Sequence, residues 1–365
     1  MKSNNQSQLW KKIKSQPLFL PVLALILVMA VNIIHDAAVG SNPLSFFLIT
    51  LNQTTSNGTI FYGRIIDILN RGSEVAILAL GMTLVVSSSA GTDISVGSVM
   101  SLSASFCCML LAGYGVSSTN DLAVPLIVGV LAAFFMGALC GIFNGTLVAY
   151  FGIQPMVATL ILFSAARAIG LLLCNNLIVY VRNPSFGAFG SFTGPLPTPI
   201  IIAAICTAIV ALVLRKTSLG MYIQSVGINS KASRIAGLNS KKIIFLTYVI
   251  CGLFAGVAGL VNSSRITSAD SNNIGLYYEM DAILAVALGG NSLGGGKFNL
   301  AGSIIGAYTI QAITTTLYAL GVSTDQAPVY KAIIVILIVA IQSAPLKAYF
   351  RKRANQKTNQ LKEAA

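Results

Sequence analysis

Charge is scarce in this sequence. Only 9% of its 365 residues are Asp, Glu, Lys or Arg, while 55% are hydrophobic, and mean hydropathy is +0.80. A water-soluble domain carries roughly a quarter charged residues. This chain cannot cover a water-exposed surface and is read as a membrane protein. Histidine is nearly absent: His35 stands alone, so His-based catalysis has no candidate inside the apolar runs. No C-x-x-C pair occurs. Cys107, Cys108, Cys140, Cys174, Cys206 and Cys251 lie in or at the ends of apolar runs and read as small hydrophobes, not as metal ligands or disulfides. No hydrophilic stretch is large enough to fold as a separate domain.

What is present is a series of long apolar runs. A helix needs about 20 apolar residues to cross the hydrocarbon core. On that measure ten spans are expected, near 17–34, 73–90, 96–113, 122–150, 155–174, 197–214, 243–261, 279–295, 300–321 and 328–345. The eighth is short and glycine-rich, which suits a broken helix. A stretch near 61–71, with Ile65, Ile68 and Leu69 beside Arg64, Asp67 and Arg71, reads as an amphipathic helix on the outer surface. The division is a short cytoplasmic segment (1–16), a transmembrane domain (17–345) holding a basic loop (215–242), and a basic tail (346–365). The net charge of +13 is concentrated. The N-terminus, the 215–242 loop, Lys297 and the tail hold four, six, one and six of the 23 Lys and Arg residues. This is the positive-inside pattern, with both termini cytoplasmic. It accounts for the basic balance without a nucleic-acid partner.

The stretch GGNSLGGGKFNLAGS, Gly289 to Ser303, looks like a phosphate cradle. A P-loop reads G-x-x-x-x-G-K-[ST]. Aligned on Gly296-Lys297, the first glycine position is Asn291 and the Ser/Thr position is Phe298. Both tests fail, and no other stretch fits. The chain is therefore expected to hydrolyse no ATP and to bind no cofactor or metal. The glycines suit two helices meeting and turning tightly. With no catalytic constellation, ten spans read as a transporter, a channel or a membrane scaffold and not as an enzyme.

Polar residues inside apolar runs are costly and mark function or a paired partner. Asp93, in SSSAGTDISVGS, has two compatible roles: capping the third span or lining a path. Arg167, inside ATLILFSAARAIGLLL, fits a buried ion pair or a translocation path equally well. The segment from Asn262 to Ala282 carries Asn262, Arg265, Asp270, Asn272, Asn273, Tyr277, Tyr278, Glu279 and Asp281. Such side chains bind polyols, but they also make solvated loops. Glu279 and Asp281 run straight into AILAVALGG and belong to the start of the eighth span. In the basic loop, INSKASRIA reads as a short helix capped by Asn229 or Ser230.

Four stretches then carry a resemblance: LALGMTLVVSSSAGTDISVGSVMSLSA, FNGTLVAYFGIQPMVATLILFSAARAI, GMYIQSVGINSKASRIAGLNSKK and EMDAILAVALGGNSLGGGKFNLAGSIIGA. In this order, across residues 62 to 345, they resemble the permease subunits of bacterial sugar ABC importers of the ribose, xylose and galactose type. SADSNNIGLYYEMDAILAVALGG with GGKFNL is most similar to galactofuranose-type permeases. The resemblance implies an all-α polytopic bundle of about ten helices, some broken or re-entrant, in the bacterial inner membrane. It implies a second permease copy, a cytoplasmic ABC ATPase that uses the ATP, an external solute-binding protein and a sugar substrate. It makes Gly227 to Leu238 the segment that meets the ATPase, with Gly227, Asn229, Ser230, Ala232, Ala236, Gly237 and Leu238 as its contacts. Asp93, Thr92, Gln154, Arg167, Asn262, Arg265, Glu279 and Asp281 become candidates for the path or its gates. Ala90 and Thr92 depart from the family pattern around Asp93, where a second glycine and an aliphatic residue are common. Two rivals stand beside this reading: an ion- or proton-coupled secondary transporter, and the same permease type carrying nucleosides, an autoinducer or amino acids.

Overall fold

The computed structural model describes residues 18–40, 42, 45–54 and 58–342. The expected N-terminal segment 1–16 and tail 346–365 lie outside the described residues. The chain opens with α1 (Phe19–Ala38) and an antiparallel hairpin of β1 (Thr50–Thr54) and β2 (Gly58–Tyr62). Then come α2 (Arg64–Ser89), α3 (Val96–Ala112), β3 (Ser118–Thr119), α4 (Leu126–Ala149) and α5 (Pro155–Leu173). A loop region holds β4 (Val179–Val181), α6 (Pro184–Gly187), β5 (Phe192–Thr193) and β6 (Leu196–Pro197). It leads to α7 (Thr198–Lys216), α8 (Leu219–Ile228), α9 (Ser230–Ile235) and α10 (Ser240–Ile266). The chain continues through β7 (Ser268–Ala269), α11 (Tyr278–Leu288), α12 (Leu300–Ala319) and α13 (Ala327–Gln342).

This is an all-α membrane bundle. Among the described residues seven helices are long and apolar enough to cross a membrane: α1, α2, α4, α5, α7, α10 and α12. Of the other three expected spans, α3 has 17 residues and α11 has 11, and 16 residues of α13 are described. At 1.5 Å per residue α11 is roughly 16 Å long, about half the hydrocarbon thickness. The eighth span is therefore a half-helix.

The stretch near 61–71 forms no separate surface helix. From Arg64 onward it is the start of α2, which runs unbroken for 26 residues. Nothing in the sequence stops that helix. Arg71 Nε bonds Asp67 Oδ1 one turn back at 2.9 Å, Ile66 and Ile68 are buried, and Gly72 leaves room for the ring of Tyr308 on α12.

α2 is the core of the bundle. Its most apolar window is 94% buried, against 22–28% for α1, α5 and α7. A helix that is apolar all round belongs inside, and α7, α10, α11 and α12 pack around this one. α5 and α7 turn long apolar side chains outward, among them Leu160, Ile161, Ile205, Ile209 and Leu212.

Lipid is as apolar as leucine, so helices in a bilayer associate through close packing of small residues. α4 carries Gly137, Gly141 and Gly145 at four-residue intervals; α10 answers with Gly252 and Gly256. A Cβ on Gly252 would overlap the carbonyl oxygen of Gly137, and one on Gly256 the carbonyl oxygen of Ala133. The two backbones touch. α1 is attached through polar contacts: Asn32 Nδ2 donates to Thr316 Oγ1 at 2.6 Å, and Arg64 Nη1 grips both oxygens of Asp36. At the far end from α9, β4 pairs in parallel with β3 and antiparallel with β7, joining the ends of α3, α5 and α10.

Gly252→Leu should separate α4 from α10 and destabilise the bundle by about 3 kcal/mol or more. In detergent its thermal midpoint should fall and its gel-filtration peak should broaden, while Leu139→Ala on the exposed face of α4 leaves both unchanged. An unaltered midpoint for Gly252→Leu would show that the backbone contact does not hold the pair.

Candidate functional site

The half-helix α11 is reached by an irregular strap, residues 267–277. The strap does not arch over the bundle as a solvated loop. It runs back into the bundle along α3. The Ser271 carbonyl accepts from Ser101 Oγ at 2.9 Å, Ser271 Oγ lies 2.6 Å from Ser105 Oγ, and Gly275 (φ +68°) packs on the carbonyl of Gly97. Ser105 to Gly97 is eight residues of helix, roughly 12 Å of descent. Arg167 of α5 clamps the strap from the side: its Nη1 donates to the carbonyls of Ser271 (2.8 Å), Asn272 (2.8 Å) and Ile274 (3.1 Å). Arg167 therefore makes neither an ion pair nor a solvent contact its main business. It supplies hydrogen bonds to backbone that has no helix to satisfy it.

α11 then begins at Tyr277, whose φ of +67° is left-handed. Glu279, 4% exposed, lies in the first turn with its carboxylate against Gly97 in the first turn of α3. The amino ends of both helices, each with a partial positive charge, meet around it. Glu279 Oε2 has no hydrogen-bond partner, nor has Arg167 Nη2. Asp281, also buried, is satisfied: Lys331 Nζ of α13 bonds its two oxygens at 2.8 and 2.9 Å. The sequence placed both acids at the end of a span beside an outer loop. The structure places them within the bundle, because the strap has already carried the chain inward.

A second cluster centres on Glu74, fully buried on α2. Its Oε1 pairs with Arg265 Nη2 at 3.1 Å, and its Oε2 accepts from Asn262 Nδ2 at 2.8 Å and from Tyr278 Oη at 2.9 Å. Arg265 Nη2 also donates to the Asn70 carbonyl at 2.9 Å. Asn262 and Arg265 thus serve a bracket that holds α2, α10 and α11 together.

A third cluster lies just ahead of the first turn of α3, before Gly97. Asp93 Oδ1 accepts from the Ser95 amide (2.9 Å) and Ser95 Oγ (2.6 Å), and Asn144 of α4 donates to both Asp93 oxygens at 3.4–3.5 Å. Asp93 orders the turn that starts α3. Thr92 beside it is half-buried, and Gln154, at the N-cap of α5, is exposed. Neither joins the strap or the Glu74 bracket. The candidate residues therefore divide into three groups, and of them Arg167 and Glu279 lie against the strap.

Comparison with known proteins fits this architecture. Residues 64–342, from the first residue of α2 to the last of α13, match the family model described as branched-chain amino acid transport system / permease component. The chain belongs to that family. It is 44% identical over 284 residues to the galactofuranose transporter permease protein YtfT of Escherichia coli K12, covering 77% of this chain and 80% of that one. The fructose import permease protein FruF of Bifidobacterium longum is 36% identical, covering 91% of this chain and 89% of that one. The ribose import permease protein RbsC of Escherichia coli K12 is 36% identical, covering 81% and 90%. These relatives are transporter subunits, and the resemblance read from the four motifs holds.

In this permease the basic loop is α8 and α9. Of the two caps the sequence offers, Asn229 is the one used, its Oδ1 accepting from the amides of Lys231 and Ala232, while Ser230 is the first residue of α9. Ser230, Ala232, Ala236 and Gly237 are exposed, Leu238 is half-buried, and Ile235 projects with 90% of its surface free. Gly227 packs against the Ser87 carbonyl at the end of α2 and against Gly296, whose amide donates to that same carbonyl at 2.9 Å. The glycine-rich loop is thus a joint between α2, α8 and α12. Asn291 pins it, its Nδ2 donating to Ser303 Oγ at 2.7 Å.

Glu74 and Lys331 escaped the sequence reading. Each was a single charge within a run counted as a span, which is the signal that could have found them. Removing Glu74 leaves Arg265 buried without a counter-charge, a loss of about 3–5 kcal/mol. Glu74→Ala should lower the thermal midpoint sharply, and Glu74→Ala combined with Arg265→Ala should cost less than the sum of the two. Strict additivity in that cycle would mean that the bracket is not a unit.

Proposed function

We propose that this chain is the membrane-spanning subunit of an ATP-driven monosaccharide importer in a bacterial cytoplasmic membrane. Two copies of the permease, or this chain and a sister, enclose the path. An external binding protein delivers the sugar, and a separate ABC ATPase on the side of α9 consumes the ATP. Sugars of the galactofuranose, ribose and fructose kind are the cargo, since the 44% and 36% relatives carry those names.

The observation that carries this reading is the strap. Ser271, Ile274 and Gly275 face α3 and are buried, while Asn272, Asn273, Leu276 and Tyr277 on its other side are exposed in the single chain. Irregular backbone at membrane depth cannot face lipid; it lines water or protein. The open face of the strap therefore belongs to an aqueous path bordered by a second subunit. Discontinuous helices placed at such a break are a recurring way to meet a solute. Family membership supports ATP drive over ion coupling. The exposed Ile235 on a short capped helix is a ready contact for a cytoplasmic partner, with Arg234 and Lys231 around it. Both termini lie on that side by the distribution of charge.

The test is reconstitution with the ATPase and binding protein encoded beside this chain. Wild-type proteoliposomes should take up sugar only with ATP. Ile235→Glu or Ala236→Glu should cut uptake more than tenfold without unfolding the bundle. Uptake driven by a proton or sodium gradient with no ATPase would overturn the proposal. The strap gives a second test. In a Cys174→Ala background, Ser105→Cys with Ser271→Cys should form a disulfide that stops uptake and is released by reductant. Full uptake with the disulfide closed would show that the strap need not move.

A further inference from the structure

We propose that Arg167 Nη2 and Glu279 Oε2 are the donor and acceptor of a hydroxyl-recognition site that reads a vicinal diol of the transported solute. The proposal rests on the sugar-importer reading and adds to it the atoms that touch the cargo.

Three observations lead there. First, these are the two unsatisfied charged groups that face the strap. Glu279 is 96% shielded and its Oε2 has no partner; Arg167 spends Nη1 on three carbonyls and leaves Nη2 buried and unused. A buried charged group without a partner is expensive. The neighbouring acids show that this bundle is able to satisfy such groups. Asp281 has Lys331, Asp270 has the side chain of Asn273 and the amide of Asn272, and Glu74 has Asn262 and Tyr278 on Oε2 and the Arg265 ion pair alone on Oε1. Second, Arg167 and Glu279 do not satisfy each other. Their charges attract, yet among the described residues no ion pair joins them within 4.0 Å. Third, they flank the place where the helix breaks, with the strap lying between α5 and α11.

The chemistry selects the ligand class. A lone anion would be repelled by Glu279 and a lone cation by Arg167, so a ligand without net charge fits both; the sugar names of the relatives favour a diol over a zwitterion. A hydroxyl is donor and acceptor at once. One hydroxyl of a diol accepts from Nη2 while its neighbour donates to Oε2, and both bonds are charge-assisted. Both atoms are closed off from solvent in this conformation. The diol reaches them when the strap lifts from Ser101 and Ser105.

The experiment measures uptake by the full importer in proteoliposomes, using D-galactose, D-ribose and D-fructose and their monodeoxy derivatives. The binding protein also discriminates among these sugars, but its contribution is common to wild type and variant and cancels in their ratio. For the wild type one or two positions should be sensitive, with the deoxy sugar carried about 10- to 100-fold more slowly. Glu279→Gln and Arg167→Met should slow the parent sugar and shrink that same gap by at least about fivefold, leaving other positions unchanged. Glu279→Asp, which retains the charge with a shorter reach, should move the same position if Glu279→Gln fails to assemble with the ATPase. A gap undiminished in the variants overturns the diol site while leaving the importer reading intact. Failure of the wild type to carry any of the three sugars, with ATP-dependent uptake of another solute class, overturns both.

Discussion

A main chain inside a membrane must find its hydrogen bonds within the protein, and in this bundle that rule is hardest to meet at residues 267–277. The segment has left one helix and not yet begun the next. Its carbonyls at Ser271, Asn272 and Ile274 are taken by one guanidinium, and Ser101 supplies a second donor to Ser271. Several otherwise odd features of the sequence follow from this demand. An arginine stands in the middle of an apolar helix because three carbonyls converge there. α3 carries Ser101 and Ser105 one turn apart because the strap lies along that face. Gly97 and Gly275 are glycines because each would place a Cβ into the other's backbone or into Glu279.

The buried acids show how carefully charge is otherwise handled. Asp93 is held by an amide, a hydroxyl and an amide side chain, Glu74 by a bracket of three groups from two helices, and Asp281 by a lysine. Each of these arrangements fixes one helix to another. Removing one partner would leave a charge stranded in a medium that solvates it poorly. Glu279 has a comparable depth, and its Oε2 has neither a hydrogen bond nor an ion pair among the described residues, whereas Glu74 Oε1, also without a hydrogen bond, keeps the Arg265 ion pair. That contrast, within one protein, is what the proposed diol site rests on.

The bundle itself was legible in the sequence. Apolar runs of span length are governed by the thickness of the bilayer, so most of them recur as helices, the second reaching back to Arg64 and the eighth shortening to a half-helix. The cap of α9 was legible because Asn229 acts on its immediate neighbours. The strap was not, since a solvated loop and a re-entrant one have the same composition: SADSNNIG satisfies either. What separates them is who supplies the hydrogen bonds, and the donors come from Ser101, Ser105 and Arg167, more than a hundred residues away in the chain. Glu74 was hidden for a related reason. Its partners Asn262, Arg265 and Tyr278 were noted as a polar group, but an isolated acid in a span points to no particular partner until α10 and α11 are brought beside α2.

The glycine-rich loop connects these two ends of the molecule. Its resemblance to a phosphate cradle is superficial, because the amide of Gly296 is spent on the Ser87 carbonyl and Asn291 is tied to Ser303, which itself accepts from Thr83 on α2. α8, which leads into α9, presses Gly227 onto that same point. Loop 289–299 leads directly back to α11, and α11 is only about 16 Å long. A displacement of α9 therefore has a short, glycine-packed route through α8 and the end of α2 to the base of the half-helix that carries Glu279. The glycines that looked like a ligand site serve better as a joint that passes movement on, and the carboxylate of Glu279 lies at the opposite end of the helix they support.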